Sequence, residues 1–446
     1  MKKLIKNINQ LGSFQRLITT CLMILLSLGA VSCDTIVEVV DPDIVTPSSL
    51  NSEAGIQTLK AGSLGDLSVA MSGAAAGHGA TTGLIVMSGL MSDEYDYSGT
   101  FPTRREGDTR ILQNTNGDMD VIFGNLHKAR AGAESTIDLA VNFGGVPDVE
   151  SEMQSVVGYS YIMFAETFCG AVPFSKVLAD GGIQFGEPLT TEQMFNAAIT
   201  WFEQALASAS GNSDLANLAR IGKARALLGL GQISAAANEV ASVPTSFVYN
   251  IEHSDNSPRQ ENGIYIMSTV RRQYSIADGK GGNGQMYRSA NDPRTPWDGG
   301  TDFGQDDITL YYNQLKFPSS NASVALASGI EARLIEAETA ADSDDALGVQ
   351  TIHNTLRADI MGLPALNLIG LSGDDLMLAH MGERAFWLYS TGHRHGDLLR
   401  LVDVYGMSPS DVFPWGPYFK GGDYGSTLRF PVPESESNNP NYVQCL

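Results

Sequence analysis

Only four of the 446 residues are cysteine, and basic side chains are outnumbered by acidic ones, 28 to 50. A formal net charge of −22 argues against nucleic acid or an anionic membrane surface as a partner, because both repel an acidic chain. Phosphate-loop, nucleophile-elbow, HExxH and CxxC patterns are all missing, which removes the most recognisable hydrolase, nucleotide-binding and redox readings. The glycine-rich piece 73–83 has neither the lysine nor the strand–loop–helix setting of a phosphate loop. Beyond the first thirty or so residues, no apolar run is long enough to span a bilayer.

The N-terminus explains half of the cysteines. Lys2, Lys3, Lys6 and Arg16 precede an apolar run at 17–28, and Gly29-Ala30-Val31-Ser32 supplies small residues before Cys33. That is a secretory signal over residues 1–32, and its end resembles the bacterial lipobox, after which Cys33 becomes a diacylated first residue. A plain signal peptide with a free Cys33 is the other reading. Acyl chains contribute about 0.8 kcal/mol per buried CH₂, so lipidation can hold a soluble body at a membrane without a spanning helix. Cys21 leaves with the signal. Cys169 and Cys445 then remain in an exported, oxidising setting. They are a candidate disulfide tying the C-terminal tail to the helix near Phe168, provided their Cα atoms lie within about 7 Å.

Residues 33–50 read as a proline-punctuated tether, and residues 51–446 as the folded body. Helical periodicity is visible at 121–141, 153–168, 325–341 and 346–361, with Thr190-Thr191 capping a further helix that carries Met194, Ala198, Trp201, Phe202 and Leu206. Residues 214–243 form a helix, a tight turn at Gly229–Gly231 and a second helix with small residues inside, which resembles a tetratricopeptide hairpin. One such unit cannot bury its face alone, so others should stack on it. Residues 92–110 read as a surface loop carrying Tyr95, Tyr97 and Phe101. Residues 247–328 lose the helical period and read as an irregular polar, aromatic insertion with short strands near 263–269 and 307–312. Long irregular segments inside a compact fold are more often functional than accidental.

The stretch 381–404 places Glu383, Arg384, Arg394, Asp397 and Arg400 among Ala385, Phe386, Leu388, Leu398 and Leu401, with a break at Gly392. Buried charges must be paired, so this reads as a helical hairpin tied by internal ion pairs. His393 and His395 with Asp397 come nearest to a metal site. Two histidines two apart cannot share one helix face, and no second ligand cluster accompanies them, so no metal or other cofactor is expected.

SGIEARLIEAE, the GERAFWLYSTGHRHGDLLRL hairpin, AETFCGAVPFS, NDPR and the terminal FPVPESESNNP together resemble, in order and over most of the mature chain, the SusD/RagB family of outer-membrane nutrient-uptake lipoproteins. Phe386-Trp387 and Tyr389 stand where that family more usually has a charged-and-Leu run. The resemblance implies an all-α fold, a tetratricopeptide-like helical superhelix with long irregular loop insertions and a few short strands. It also implies a surface-exposed, lipid-anchored binding protein that hands oligosaccharides, sometimes peptides, to a SusC-like TonB-dependent transporter in the outer membrane.

Sugar rings present apolar CH faces that aromatic side chains can cover while Asp, Asn and Arg bond the hydroxyls. Trp297 with Arg294 and Asp298, Tyr311 with Tyr312, Tyr287, and Tyr95 with Tyr97 are the candidate ligand contacts. For each aromatic, packing beneath a loop is the commoner reading. Trp201 and Trp387 read as core, and Trp415 suits either a ligand face or an interface. Acidic pairs such as Asp93/Glu94, Asp306/Asp307 and Asp374/Asp375 would be the raw material of a glycosidase, but an acid-rich chain produces such pairs by chance, and no enzyme activity is expected. An exposed aromatic cluster beside a polar cleft would favour glycan capture. An apolar groove along the helices, with the aromatics buried, would favour a peptide-binding or scaffold role.

Overall fold

The computed structural model describes residues 52–75, 81–178, 182–360 and 362–445; the signal segment, the tether and Cys33 lie outside the described residues. Helices start where the chain supplies acceptors for orphan N–H groups. Ser52 caps Glu53–Ser72, Asn116 caps Gly117–Phe143, and Thr190 with Gln193 forms a reciprocal capping box on Thr191–Ser208. Asn212 caps Ser213–Gly229, and Ser328 caps Gly329–Asp342.

Pro147–Thr167 is the central helix, and nearly every residue from Val149 onward is buried. A helix without a wet face must satisfy its polar groups internally. Ser151 accordingly donates to the Ala205 carbonyl (2.8 Å) and Tyr159 to the Leu218 carbonyl (3.0 Å). Gly117–Phe143, Thr191–Ser208 and Ser213–Gly229 pack around it. Small residues permit this closeness: a Cβ on Gly158 or Gly222 would come within 2.7 or 2.2 Å of the Phe202 ring. The expected hairpin appears as Ser213–Gly229 and Ile233–Val240, and the stack continues through Gly329–Asp342 to Ala346–Ala358 and Gly373–Trp387. The fold is all-α and tetratricopeptide-like, with short strands only.

The described strands form two-stranded antiparallel ladders. Val248–Ile251 pairs with Val324–Ser328, closing the base of the irregular insertion. The helix expected from residue 325 therefore begins only at Gly329. The strand expected near 263–269 is a short helix, Gly263–Tyr265, followed by a π-helical turn, Ile266–Val270. Asn262 decides this by accepting the N–H groups of Ile264 (2.9 Å) and Tyr265 (3.2 Å).

Residues 92–110 also depart from expectation. They hold a strand, Tyr95–Tyr97, paired with Tyr274–Ile276, and a helix, Pro102–Thr109. Strand alternation sends both tyrosine rings into the core, fully buried, and leaves Asp96 on the other face.

The helices Gly373–Trp387 and Arg394–Asp403 form the charged hairpin, with Gly392 at φ 80° in the break. Its ion pairs reach beyond it. Arg384 and Arg400 share Asp397 (2.9 Å each), Arg400 also grips Glu338 (2.6 Å), and Arg394 grips Asp93 (2.7 Å). Arg225 bonds Glu166 (2.8 Å) and the His393 ring (2.9 Å), while His395 meets the Leu428 carbonyl (2.7 Å). The two histidines thus face different partners. Cys169 and Cys445 are joined as a disulfide with Cα atoms 6.2 Å apart, beside the backbone bond from Cys169 to Phe430 (2.9 Å) that fastens the tail.

Candidate ligand-binding cleft

An open cleft of about 740 Å³ is walled by Tyr312, Trp415 and Phe419 and carries Asp96, Arg288 and Lys420. Four distant stretches build it. Asp96 comes from the strand Tyr95–Tyr97, Arg288 from the loop after Gly279–Gly284, Tyr312 from the strand Leu310–Gln314, and the other residues from the loop 415–424. The glycines of the second stretch have a packing role. A Cβ on Gly281, whose φ is 66°, would lie 2.5 Å from the backbone of Pro414 and Trp415, so only glycine lets these two loops touch.

Trp415 is 42% exposed and Phe419 50%. Two large aromatic rings this open to solvent on the wall of one cleft offer a surface for a ligand to cover. The two lysines near them are satisfied. Lys280, fully buried, donates to Asp108 (2.5 Å) and to the carbonyls of Leu90 (2.6 Å) and Tyr95 (2.7 Å). Lys420 pairs with Asp306 (2.7 Å), and the Tyr418 hydroxyl donates to Asp108 (2.7 Å).

Two cleft groups are unlike these. The Arg288 guanidinium lies over the Tyr312 ring, 3.5 Å from its centroid, and among the described residues no carboxylate is within ion-pair reach of it. Its Nε is shielded from solvent without a hydrogen-bond partner. Asp96 has its carboxyl pushed up to about 6 by burial, with Lys280 pulling it down and Asp108 pushing it up. Arg288 can donate and Asp96 accept, which is what a sugar's neighbouring hydroxyls require.

Of the residues singled out in the sequence, Tyr312 and Trp415, the latter read as suiting either a ligand face or an interface, line this cleft. Trp297 stands behind it: its ring meets Tyr312 edge-on at 5.6 Å, and its Nε1 donates to the Arg288 carbonyl (3.2 Å). Asp298 is exposed on the strand Trp297–Phe303. Arg294 is tied to Asp292 (2.6 Å) and Glu383 (2.8 Å). Tyr287 is fully buried against Phe386 and Tyr389, and Tyr311 is buried with its hydroxyl donating to the Ser268 carbonyl (2.5 Å). Tyr95 and Tyr97 are core, for the alternation already given. In this conformation Tyr95, Tyr97, Tyr287 and Tyr311 are packing residues. Asp96, Arg288 and Phe419 were not anticipated; the Tyr-Asp-Tyr alternation was the one local signal that could have pointed to Asp96.

The acidic pairs do not assemble a hydrolytic site. Asp93 is bound by Arg394, which outweighs burial and holds the carboxyl below its ordinary range. Glu94, fully buried and pushed up to about 8 by burial, accepts the Ser390 N–H (2.6 Å). Asp306 is held by Lys420, and Asp374 and Asp375 sit in the first turn of a helix. Among the described residues, no group of three or more His, Cys, Asp or Glu side chains is placed to hold a metal. A smaller hollow of about 320 Å³ lies between Glu53–Ser72 and the strand Val248–Ile251, lined by Leu64, Gly65 and Tyr249, without an exposed aromatic ring.

No family model and no curated protein matches the chain. Solved structures do. A SusD-like carbohydrate-binding protein from Bacteroides vulgatus is 14% identical, with a TM-score of 0.63 over 87% of this chain and 97% of its own. A surface glycan-binding protein A from Bacteroides uniformis is 14% identical, with a TM-score of 0.64 over 88% and 99%. A SusD-like protein from Bacteroides fragilis is 12% identical, with a TM-score of 0.65 over 90% and 98%. The chain has the SusD-like fold.

Proposed function

We propose that this SusD-like chain captures oligosaccharides in the cleft between Tyr312, Trp415 and Phe419 and passes them to a SusC-like TonB-dependent transporter. In this reading it is held on the outer face of the outer membrane by lipid on Cys33, and it has no catalytic role. The observation that carries the capture step is the exposed Trp415–Phe419 wall beside Asp96 and Arg288, the latter with no carboxylate within ion-pair reach among the described residues. The lipobox-like run before Cys33 supports the anchor, and no described helix is long and apolar enough to cross a membrane.

The test is a glycan-panel titration of the protein lacking residues 1–33, with Trp415→Ala alongside. At least one oligosaccharide should bind. The variant should bind it about tenfold more weakly, since losing a stacking platform costs on the order of 1.4 kcal/mol. Binding that ignores Trp415 would move the site elsewhere. Metabolic labelling with a fatty-acid analogue should mark the chain, and Cys33→Ala should abolish the label; an unlabelled unsubstituted chain would remove the anchor.

A further inference from the structure

The charges around the cleft divide into two kinds. Lys280 and Lys420 each have a carboxylate partner, Asp108 and Asp306. Arg288 and Arg110 have none within ion-pair reach among the described residues. In a chain with 50 acidic and 28 basic residues, an arginine without a carboxylate is the exception. The deeply buried arginines elsewhere, Arg225, Arg384, Arg394 and Arg400, are all paired.

Arg110 is fully buried directly behind the aromatic wall, its guanidinium 5.6 Å from the Trp415 ring and 5.2 Å from Phe413. One nitrogen donates to the Gly425 carbonyl, while Nε and Nη1 have no partner. A positive charge in a low-dielectric wall projects its field into the cleft in front of it with little screening. Arg288 supplies the contact. The Tyr312 ring beneath its guanidinium holds the group in place, and its two Nη nitrogens can meet a planar two-oxygen acceptor as a fork.

Resting on the capture reading above, we propose that the cleft selects glycans bearing a carboxylate, such as uronic-acid oligosaccharides. Arg288 takes the carboxylate, Arg110 biases the potential from behind Trp415, and Trp415 and Phe419 cover the ring faces. The like charges in the cleft fix the orientation. Asp278 spends Oδ1 on the N–H groups of Arg288 and Ser289 (3.0 Å each), and Asp96 is left to accept sugar hydroxyls away from the acid group. Lys280, Asp108, Arg288 and Lys420 are the charged groups whose fields Asp96 feels. Its burial favours the neutral form, so repulsion of an acidic sugar fades as pH falls through about 6.

The experiment is calorimetric titration of the protein lacking residues 1–33 with matched pairs: uronic-acid oligosaccharides and their carboxyl-reduced neutral counterparts. The acidic member should bind about tenfold or more tightly, the scale of one charge-assisted contact. Arg288→Gln should collapse that ratio to about one, and Arg288→Lys should restore only part of it, since the ammonium keeps the charge and loses the fork. Far-ultraviolet circular dichroism confirms that both variants are folded. Asp96→Asn should flatten the rise in acidic-glycan affinity between pH 7 and pH 5. Equal or preferential binding of the neutral members overturns the proposal and leaves glycan capture standing. A ratio that survives Arg288→Gln also overturns it. Failure of every glycan of either kind overturns both readings.

Discussion

The hairpin Gly373–Trp387/Arg394–Asp403 and the cleft are both rich in charge, yet they treat it in opposite ways. In the hairpin the buried arginines are matched: Arg384 and Arg400 by Asp397, Arg400 also by Glu338, and Arg394 by Asp93, with bonds of 2.6–2.9 Å. In the cleft, Arg288 is stacked but unpaired and Asp96 is raised toward neutrality. Burial costs both regions desolvation energy. In the first, that cost is offset inside the chain and the result is a fixed angle between helices. In the second, the ligand we propose would supply the offset.

The comparison breaks most visibly if charge removal destabilises both regions alike. Asp397→Ala strands Arg384 and Arg400 without a shared partner and should cost about 3–5 kcal/mol in denaturant unfolding, whereas Arg288→Gln should stay within about 0.5 kcal/mol. Glu94, which sits where the two regions meet, sharpens it by pH. Its folded carboxyl is raised to about 8 from 4.5, so between those values the folded chain holds a proton that the unfolded chain has lost. Stability from this group is therefore full below about 4.5 and is lost as pH rises through 8, with a slope of at most about 1.4 kcal/mol per pH unit. Glu94→Gln should flatten that slope in thermal melts taken across pH 5–8, and an unchanged slope would assign the titration to another group. Third, Trp415→Ala should weaken glycan binding about tenfold while leaving the melting temperature nearly unmoved; a large stability loss would make it a packing residue. The smallest effect belongs to Trp297→Ala, which removes support for Tyr312 rather than a contact and should cost about two- to threefold in affinity.

Most of the long helices were legible because caps and periodicity are local. Thr190, the Gly229–Gly231 turn and the break at Gly392 all act where the pattern places them. The strand-like residues at 263–269 misled because the acceptor of Asn262, one residue upstream, outweighs the β-propensity of Ile, Tyr and Thr. Tyr95 and Tyr97 misled for a different reason: polarity averaged over the segment suggested a loop, while alternation placed the rings inside. The cleft itself was mostly illegible. Asp96 and Trp415 are over three hundred positions apart, and no local pattern announces that the loops at 279–288 and 415–424 meet through Gly281. Tyr312 was identified because a paired aromatic in an irregular insertion is conspicuous, and Tyr311, its neighbour, was the one turned inward.

Asp96 is the one cleft residue whose strand is anchored on its reverse side by two immersed rings. Most of the opposite wall is carried by the segments 279–288 and 415–424, which meet at Gly281 and plug into the body through Lys280, Tyr287 and Tyr418. An engineer wanting a different sugar preference could transplant the segments at 279–288 and 415–424 from a relative and keep the Tyr-Asp-Tyr strand untouched. Diversification would then proceed like changing the jaws on a vice whose bed never moves.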